Sequence, residues 1–167
     1  MDPIGRSPIS LPALVLGKLA LVGCGLFVLV KAHYRDALLY DSLATQTLGE
    51  VLIAAGLIVA AVSIVQLGRS LSVGLPQAET ELKTRGIYGL SRNPIYVGGF
   101  FMCIGSCLYA LHPVNMFLFA LTAGIHHAIV LKEERFLEAR FGEQWRAYVQ
   151  RVPRYIGNVS VGGDVRF

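Results

Sequence analysis

At 167 residues, 54% hydrophobic and 16% charged, with a mean hydropathy of +0.56, the chain carries much less charge than the roughly 25% of an ordinary soluble domain. That excludes a water-soluble globular enzyme. The net charge of +4 is not gathered into a basic groove with interleaved aromatics, which argues against a nucleic-acid partner.

Four windows are almost free of charge. Residues 11–30 contain only Lys18, and 51–67, 95–111 and 114–131 contain none. A helix crosses the hydrocarbon with about 20 apolar residues. The predicted spans are therefore 11–31, 49–68, 95–111 and 114–131, with a tail over 132–167, all in one membrane domain from 1 to 167. The first window is too long for a signal peptide and lacks a small-residue cleavage site. Lys18 lies close enough to one end of its span to snorkel to the interface. Cys24, Cys103 and Cys107 all fall inside spans, without a C-x-x-C pair, and read as small apolar fillers. His126 and His127 are adjacent, so they point about 100° apart on a helix and do not converge on one metal ion.

Basic residues set the orientation. The N-terminal tail, the second loop and the C-terminal tail hold twelve Lys and Arg. The first loop holds Lys31 and Arg35, and the third, around His112 and Pro113, holds none. The chain thus reads as a multi-pass membrane protein (of the plasma membrane, if bacterial) with both termini cytoplasmic, its basic flanks facing an anionic leaflet.

Residues 86–99, GIYGLSRNPIYVGG, put a polar, proline-broken, glycine-rich segment at the mouth of the third span. Such backbone is tolerated at membrane depth only when buried in protein or lining a polar cavity. The tail continues in helical register. Leu137, Phe141, Trp145 and Tyr148 form one apolar stripe, with a break expected at Gly142 and an end at Val152-Pro153-Arg154. The stripe reads as a helix closing over residues 86–99, with Glu133 and Glu134 at the boundary needing cationic or donor partners.

In order along the chain stand Leu67-Gly-Arg-Ser70, Leu82-Lys-Thr-Arg-Gly-Ile-Tyr88, Arg92-Asn-Pro-Ile-Tyr96-Val-Gly98, Glu133-Glu-Arg-Phe-Leu137, Phe141-Gly142 and Val152-Pro-Arg154. This series resembles the C-terminal half of the isoprenylcysteine carboxyl methyltransferase and phospholipid methyltransferase superfamily. The resemblance covers residues 68–156. It implies an all-α integral membrane methyltransferase whose C-terminal helix closes a pocket for S-adenosyl-L-methionine. The implied cofactor residues are Leu82, Lys83, Gly86, Tyr88, Asn93, Pro94, Tyr96, Glu133 and Glu134. Arg92 and Asn93 stand as catalytic candidates, and His126, His127 and Arg154 as substrate-binding ones. Free backbone N–H groups near Gly86 and Asn93-Pro94 suit the cofactor carboxylate. Tyr88 and Tyr96 suit its adenine or sulfonium, and Glu133 its ammonium or ribose.

Two positions depart from the pattern. Asn93 stands where the family has histidine, and its amide is expected to point into the pocket. Ile129 stands where prenylcysteine enzymes carry an arginine for the substrate carboxylate, which argues against a prenylcysteine carboxylate as the substrate. The acceptor implied is a lipophilic thiol, carboxylate or amine, or a lipid, reached from the inner leaflet. Two other functions fit less of the sequence: a membrane NADPH-dependent reductase of related fold, with Lys83 and Arg85 for the phosphate, and a non-catalytic scaffold that Asn93 would suit. Oligomeric state is not legible. The orientation is testable directly: reporter fusions after Tyr40 and after Phe167 are expected on opposite sides of the membrane, and finding both on one side contradicts the spans and their orientation.

Overall fold

The computed structural model describes residues 11–31, 38–40, 42–68 and 81–157. The basic residues Arg6, Arg35, Arg69 and Arg166 lie outside them. Among the described residues five α-helices run in order: α1 Leu11–Val30, α2 Leu43–Leu67, α3 Pro94–Tyr109, α4 Pro113–Phe141 and α5 Glu143–Val149. A single 3-10 turn, Gly86–Gly89, precedes α3.

Local chemistry explains the helix limits. Ser42 caps α2, its hydroxyl accepting from the Thr45 N–H at 3.2 Å. That cap starts α2 six residues before the expected span. Pro94 and Pro113 open α3 and α4 in the first turn, where a missing N–H costs nothing. α4 runs ten residues past its expected span, because Lys132 to Phe141 are good helix formers. It ends at Gly142, at φ 49°, in the left-handed region that favours glycine.

α1, α2 and α4 are long and apolar enough to cross a membrane. The third expected span is a shorter helix. α3 has 16 residues, which at 1.5 Å per residue is about 24 Å against a hydrocarbon core of about 30 Å. It begins one residue before the expected window of 95–111 and stops at Tyr109, two residues short of its end.

Because lipid is as apolar as leucine, helices in a membrane associate by close packing rather than by hydrophobic burial. α2 and α3 do so through glycines seven residues apart on each helix. A Cβ on Gly49 would lie 2.6 Å from the Gly105 carbonyl oxygen, and one on Gly56 would lie 2.6 Å from that of Gly98. The antiparallel backbones therefore touch. α1 lies along α4, with Gly17 facing Ile125 and His126, and Gly23 facing Leu118. In the interior, the Ser106 hydroxyl donates to the Cys24 carbonyl and the Asn115 amide to Ser106 Oγ at 3.1 Å. All three cysteines are buried and unbridged.

The two ends of the bundle differ. At one, the Leu39 N–H donates to the Leu111 carbonyl at 2.8 Å, joining the first and third loops. Lys31 closes that end. It is buried, and its ammonium donates to the Tyr109 carbonyl at 2.7 Å, at the C-terminus of α3. At the other end the last residues of α2, the 3-10 turn, the start of α3 and the tail converge. The functional candidates collect there.

Gly56→Ala places a methyl group against backbone and is expected to destabilise the detergent-solubilised protein by about 1–3 kcal/mol. Gly25→Ala, with nothing within 4 Å of the new Cβ, is expected to be neutral or to stabilise by up to about 1 kcal/mol through helix propensity. Thermal unfolding of the two variants checks this, and equal midpoints contradict the glycine contact.

Candidate active site

The site is built on one turn of α4. Glu133 and Glu134 are consecutive, so their side chains leave the helix about 100° apart and meet different surroundings.

Glu134 is buried, and its two oxygens are used separately. Oε1 accepts from the Asn93 amide at 3.1 Å and lies 3.3 Å from a guanidinium nitrogen of Arg92. Oε2 accepts from Arg154 Nε at 3.0 Å, with Arg154 Nη2 at 2.9 Å. The backbone repeats the connection. The Arg92 N–H donates to the Pro153 carbonyl at 2.9 Å. The Ser91 hydroxyl and the Asn93 amide both donate to the Arg154 carbonyl, at 3.1 and 3.2 Å. Arg92 also lies 5.7 Å from the centre of the Trp145 ring. Burial pulls its guanidinium below the usual value, and the charge of Glu134 opposes that.

Below this network the tail helix seals the segment. Trp145, Tyr148 and Val152 form an apolar cluster with Leu82, Leu137, Phe141 and Val149 packed on it. The Tyr148 hydroxyl donates to the Tyr88 carbonyl at 2.6 Å. Burial first, and the negative charge of Glu133 second, push the buried Tyr88 hydroxyl up to about 12. Leu82, Lys83, Gly86 and Tyr88 line a cleft of about 480 Å³ against Gln66. Lys83 is paired with Glu81 at 3.0 Å.

Glu133 has different company. It is half-buried, and both its oxygens accept from the Tyr96 hydroxyl, at 3.0 and 3.1 Å. Among the described residues it has no cation within ion-pair distance. The Tyr96 ring sits edge-on to buried His126, 5.6 Å away. His126 is tied to the Thr122 carbonyl at 2.8 Å. His127 is exposed on the outer side of α4 and meets the Tyr155 hydroxyl at 2.9 Å.

The predicted residues therefore come together at one end, but with divided tasks. Arg92, Asn93, Glu134 and Arg154 bond one another. Pro94 is buried at the start of α3. Leu82, Lys83, Gly86 and Tyr88 face the cleft, while Tyr96, Glu133 and His126 form a separate group. Two expectations are corrected. The Asn93 amide does not point free into a pocket, because Glu134 and the Arg154 carbonyl take it. The backbone N–H of Asn93 is taken by Ser91 Oγ at 3.1 Å, and that of Ile87 by Gln66 Oε1 at 2.9 Å, so neither is open to a carboxylate. Sequence reading missed Gln66, Ser91 and Tyr155. Gln66 and Ser91 are small signals inside apolar or loop sequence, and Tyr155 comes two residues after a proline, outside any periodicity.

Residues 44–144 match the phospholipid methyltransferase family. The chain is 25% identical over 156 residues to a probable protein-S-isoprenylcysteine O-methyltransferase of Oryza sativa subsp. indica, covering 89% of this chain and 81% of that one. It is 26% identical over 157 residues to protein-S-isoprenylcysteine O-methyltransferase B of Arabidopsis thaliana, covering 89% and 79%. Over 85 residues it is 35% identical to protein-S-isoprenylcysteine O-methyltransferase of Rattus norvegicus, covering 48% and 30%. Its fold is similar to the solved structure of the eukaryotic intramembrane Ras methyltransferase ICMT (isoprenylcysteine carboxyl methyltransferase), with a TM-score of 0.64 and 21% identity. The match covers 91% of this chain and 55% of that one, so the chain spans about half its length. With the family matched over more than half its residues, the chain belongs to the phospholipid methyltransferase family and is an integral-membrane methyltransferase of that family.

Proposed function

We propose that the methyl donor is S-adenosyl-L-methionine and that the acceptor is a lipophilic molecule drawn from the membrane. Glu133 is the observation that favours this most. It is a half-buried carboxylate with a neutral phenol on it and no ion-pair partner among the described residues, so it attracts a cation. S-adenosyl-L-methionine brings two, an ammonium and a sulfonium. NADPH brings phosphates. Arg92 and Arg154 are committed to Glu134, while Lys83 makes an exposed pair with Glu81 and Arg85 lines the cleft beside it. It is Glu133, without a cation of its own among the described residues, that favours the methyl donor over the reductase alternative.

When bound, the donor supplies a methyl group that moves to a nucleophile by in-line displacement. No covalent protein intermediate is needed, so the chain contributes position and exclusion of water. Glu133 and Tyr96 would hold the cationic part. Tyr88 and Leu82 wall the cleft against Gln66. The Arg92–Glu134–Arg154 network fixes those walls relative to α4, and the Trp145 cluster keeps water from beneath. Asn93 acts here through position, holding Glu134 and the tail. Asparagine supplies donors for that without a titrating ring, which favours an active enzyme over a scaffold.

The names of the relatives make a prenylated cysteine carboxylate the first acceptor to test. Ile129, buried at 3% exposure, leaves no cation on that turn of α4 for such a carboxylate. A lipophilic thiol or amine is therefore tested beside it.

S-adenosylhomocysteine is expected to bind the purified protein saturably by calorimetric titration, and NADPH not to. Tyr96→Ala is expected to weaken that binding by about 1–3 kcal/mol, the cost of leaving Glu133 without its donor. NADPH binding with no S-adenosylhomocysteine binding sinks the proposal. Asn93→Leu removes two hydrogen bonds to the network and is expected to lower stability by about 1–3 kcal/mol. The native protein is expected to move labelled methyl into an organic-extractable product of a farnesylated cysteine, a long-chain thiol or a long-chain amine. Cofactor binding with transfer to none of the three favours the scaffold.

A further inference from the structure

His126 is an ionisable side chain inside α4, where such a group is costly unless it is partnered or put to use. Its Nδ1 is 2.8 Å from the Thr122 carbonyl oxygen, one turn back. A carbonyl only accepts, so Nδ1 carries the hydrogen, and the neutral ring then presents a bare lone pair at Nε2. Three helices build the seat of the ring. Gly17 of α1 comes so close that a Cβ there would lie 3.2 Å from the ring's Cε1. The Tyr96 ring of α3 stands edge-on to it, with centres 5.6 Å apart.

No described residue meets Nε2, yet that nitrogen is not sealed in. Among the described residues the buried side-chain nitrogens and oxygens without a partner are Arg92 Nε, Asn115 Oδ1 and Thr122 Oγ1, so Nε2 keeps accessible surface on an otherwise buried residue. The face of α4 that carries His126 continues at 129 and 133. Ile129 is buried and brings no polar group. Glu133 brings only lone pairs, and the Tyr96 hydroxyl, the donor beside it, is already spent on its oxygens. This face therefore offers acceptors and no open donor among the described residues. A carboxylate there meets only lone pairs and a like charge, whereas an S–H or N–H group meets its complement. His127 is no rival for the task, because it is exposed on the outer side of α4 and bonded to the Tyr155 hydroxyl.

We propose that His126 Nε2 is the general base of the transfer, and that the acceptor reacts through an atom that carries a proton, a thiol or an ammonium, and not through a carboxylate. This rests on the methyl-transfer reading for the reaction, and on the Thr122 bond and the acceptor-only face of α4 for the residue. A thiol gives its S–H proton to Nε2 and attacks as the thiolate; an ammonium gives an N–H proton to Nε2 and attacks as the free amine. In either case the freed electron pair forms the new bond to the methyl carbon, and the pair of the carbon–sulfur bond that breaks stays on the donor's sulfur. The Thr122 carbonyl holds the ring so that the nitrogen left bare is the accessible one.

The first test is nitrogen NMR of the purified protein labelled at histidine, with no methyl donor present. The His126 signals, assigned by their loss in His126→Gln, are expected to show the hydrogen on Nδ1 and a bare Nε2. Dodecanethiol or dodecylamine is expected to move the Nε2 signal, and dodecanoate to leave it in place. A hydrogen on Nε2 of the neutral ring overturns the proposal, and so does an Nε2 signal that neither the thiol nor the amine moves. The second test is transfer. His126→Gln offers an oxygen that accepts a hydrogen bond but takes no proton, and it is expected to lower the maximal rate of methyl transfer to the thiol or the amine about 100-fold or more. His126→Asn keeps an amide N–H for the Thr122 carbonyl, so it is expected to fold as the parent does and to show the same loss of rate. S-adenosylhomocysteine affinity is expected to stay within about two-fold of the parent in both variants. An unchanged maximal rate overturns the base, transfer to a farnesylated cysteine carboxylate alone overturns the acceptor class, and a large loss of affinity moves His126 to the donor pocket and overturns its assignment as the base. Absence of S-adenosylhomocysteine binding in the parent protein is a failure of the methyl-donor reading, and the nitrogen signals decide the contact between His126 and the acceptor independently of it.

Discussion

A carboxylate at the edge of a bilayer must be neutralised or hydrogen-bonded, and Glu134 meets that demand with three residues from two distant segments. Arg92 and Asn93 come from the start of α3, and Arg154 comes from the tail. Without them the buried charge would cost several kcal/mol. The partners are constrained in return. Two arginines on one buried carboxylate have nowhere better to go, and the Arg154 backbone is held by Ser91 and Asn93. The tail is therefore fastened over residues 86–99 by charge, and the apolar cluster around Trp145 and Tyr148 fills the space beneath.

That fastening explains why two adjacent glutamates do different things. Glu134 is satisfied by the protein. Glu133, turned about 100° away on the same helix, has Tyr96 alone and no cation among the described residues. Such a site suits the proposed cationic ligand, and the neighbouring network closes on itself without one. The glycine contacts between α2 and α3 complete the frame. They hold Tyr96, one turn into α3, at a fixed depth relative to Gln66 and the cleft at the end of α2.

Much of this was legible in the sequence. Charge-free windows located the helices, and the stripe from Leu137 to Tyr148 gave the tail helix with its break at Gly142. The end that gathers the polar candidates followed from residues 86–99. Partnerships were not legible. Nothing in Arg92-Asn93-Pro94 says that the asparagine amide turns to Glu134 and the Arg154 carbonyl, because that depends on where the tail docks sixty residues later. Lys31, read as a loop cation, is buried against Tyr109. The limits of α2 and α4 were misjudged for a related reason: window hydropathy is blind to a Ser42 cap, and to a span that continues as a polar helix. The third span was read a little long because the apolar run of residues 95–111 passes Tyr109, where the helix stops.

The division of labour between Glu133 and Glu134 is the centre of the account, and it is tested by measuring thermal stability and S-adenosylhomocysteine affinity side by side in Glu133→Gln and Glu134→Gln. Glu134→Gln is predicted to lower the unfolding midpoint clearly, because buried Arg92 and part-exposed Arg154 lose their counter-charge. Glu133→Gln is predicted to keep the parent midpoint or exceed it and to lose at least about ten-fold in affinity, the equivalent of 1.4 kcal/mol. A Glu133→Gln protein that binds as tightly as the parent, or a Glu134→Gln protein that is as stable as the parent, would contradict it.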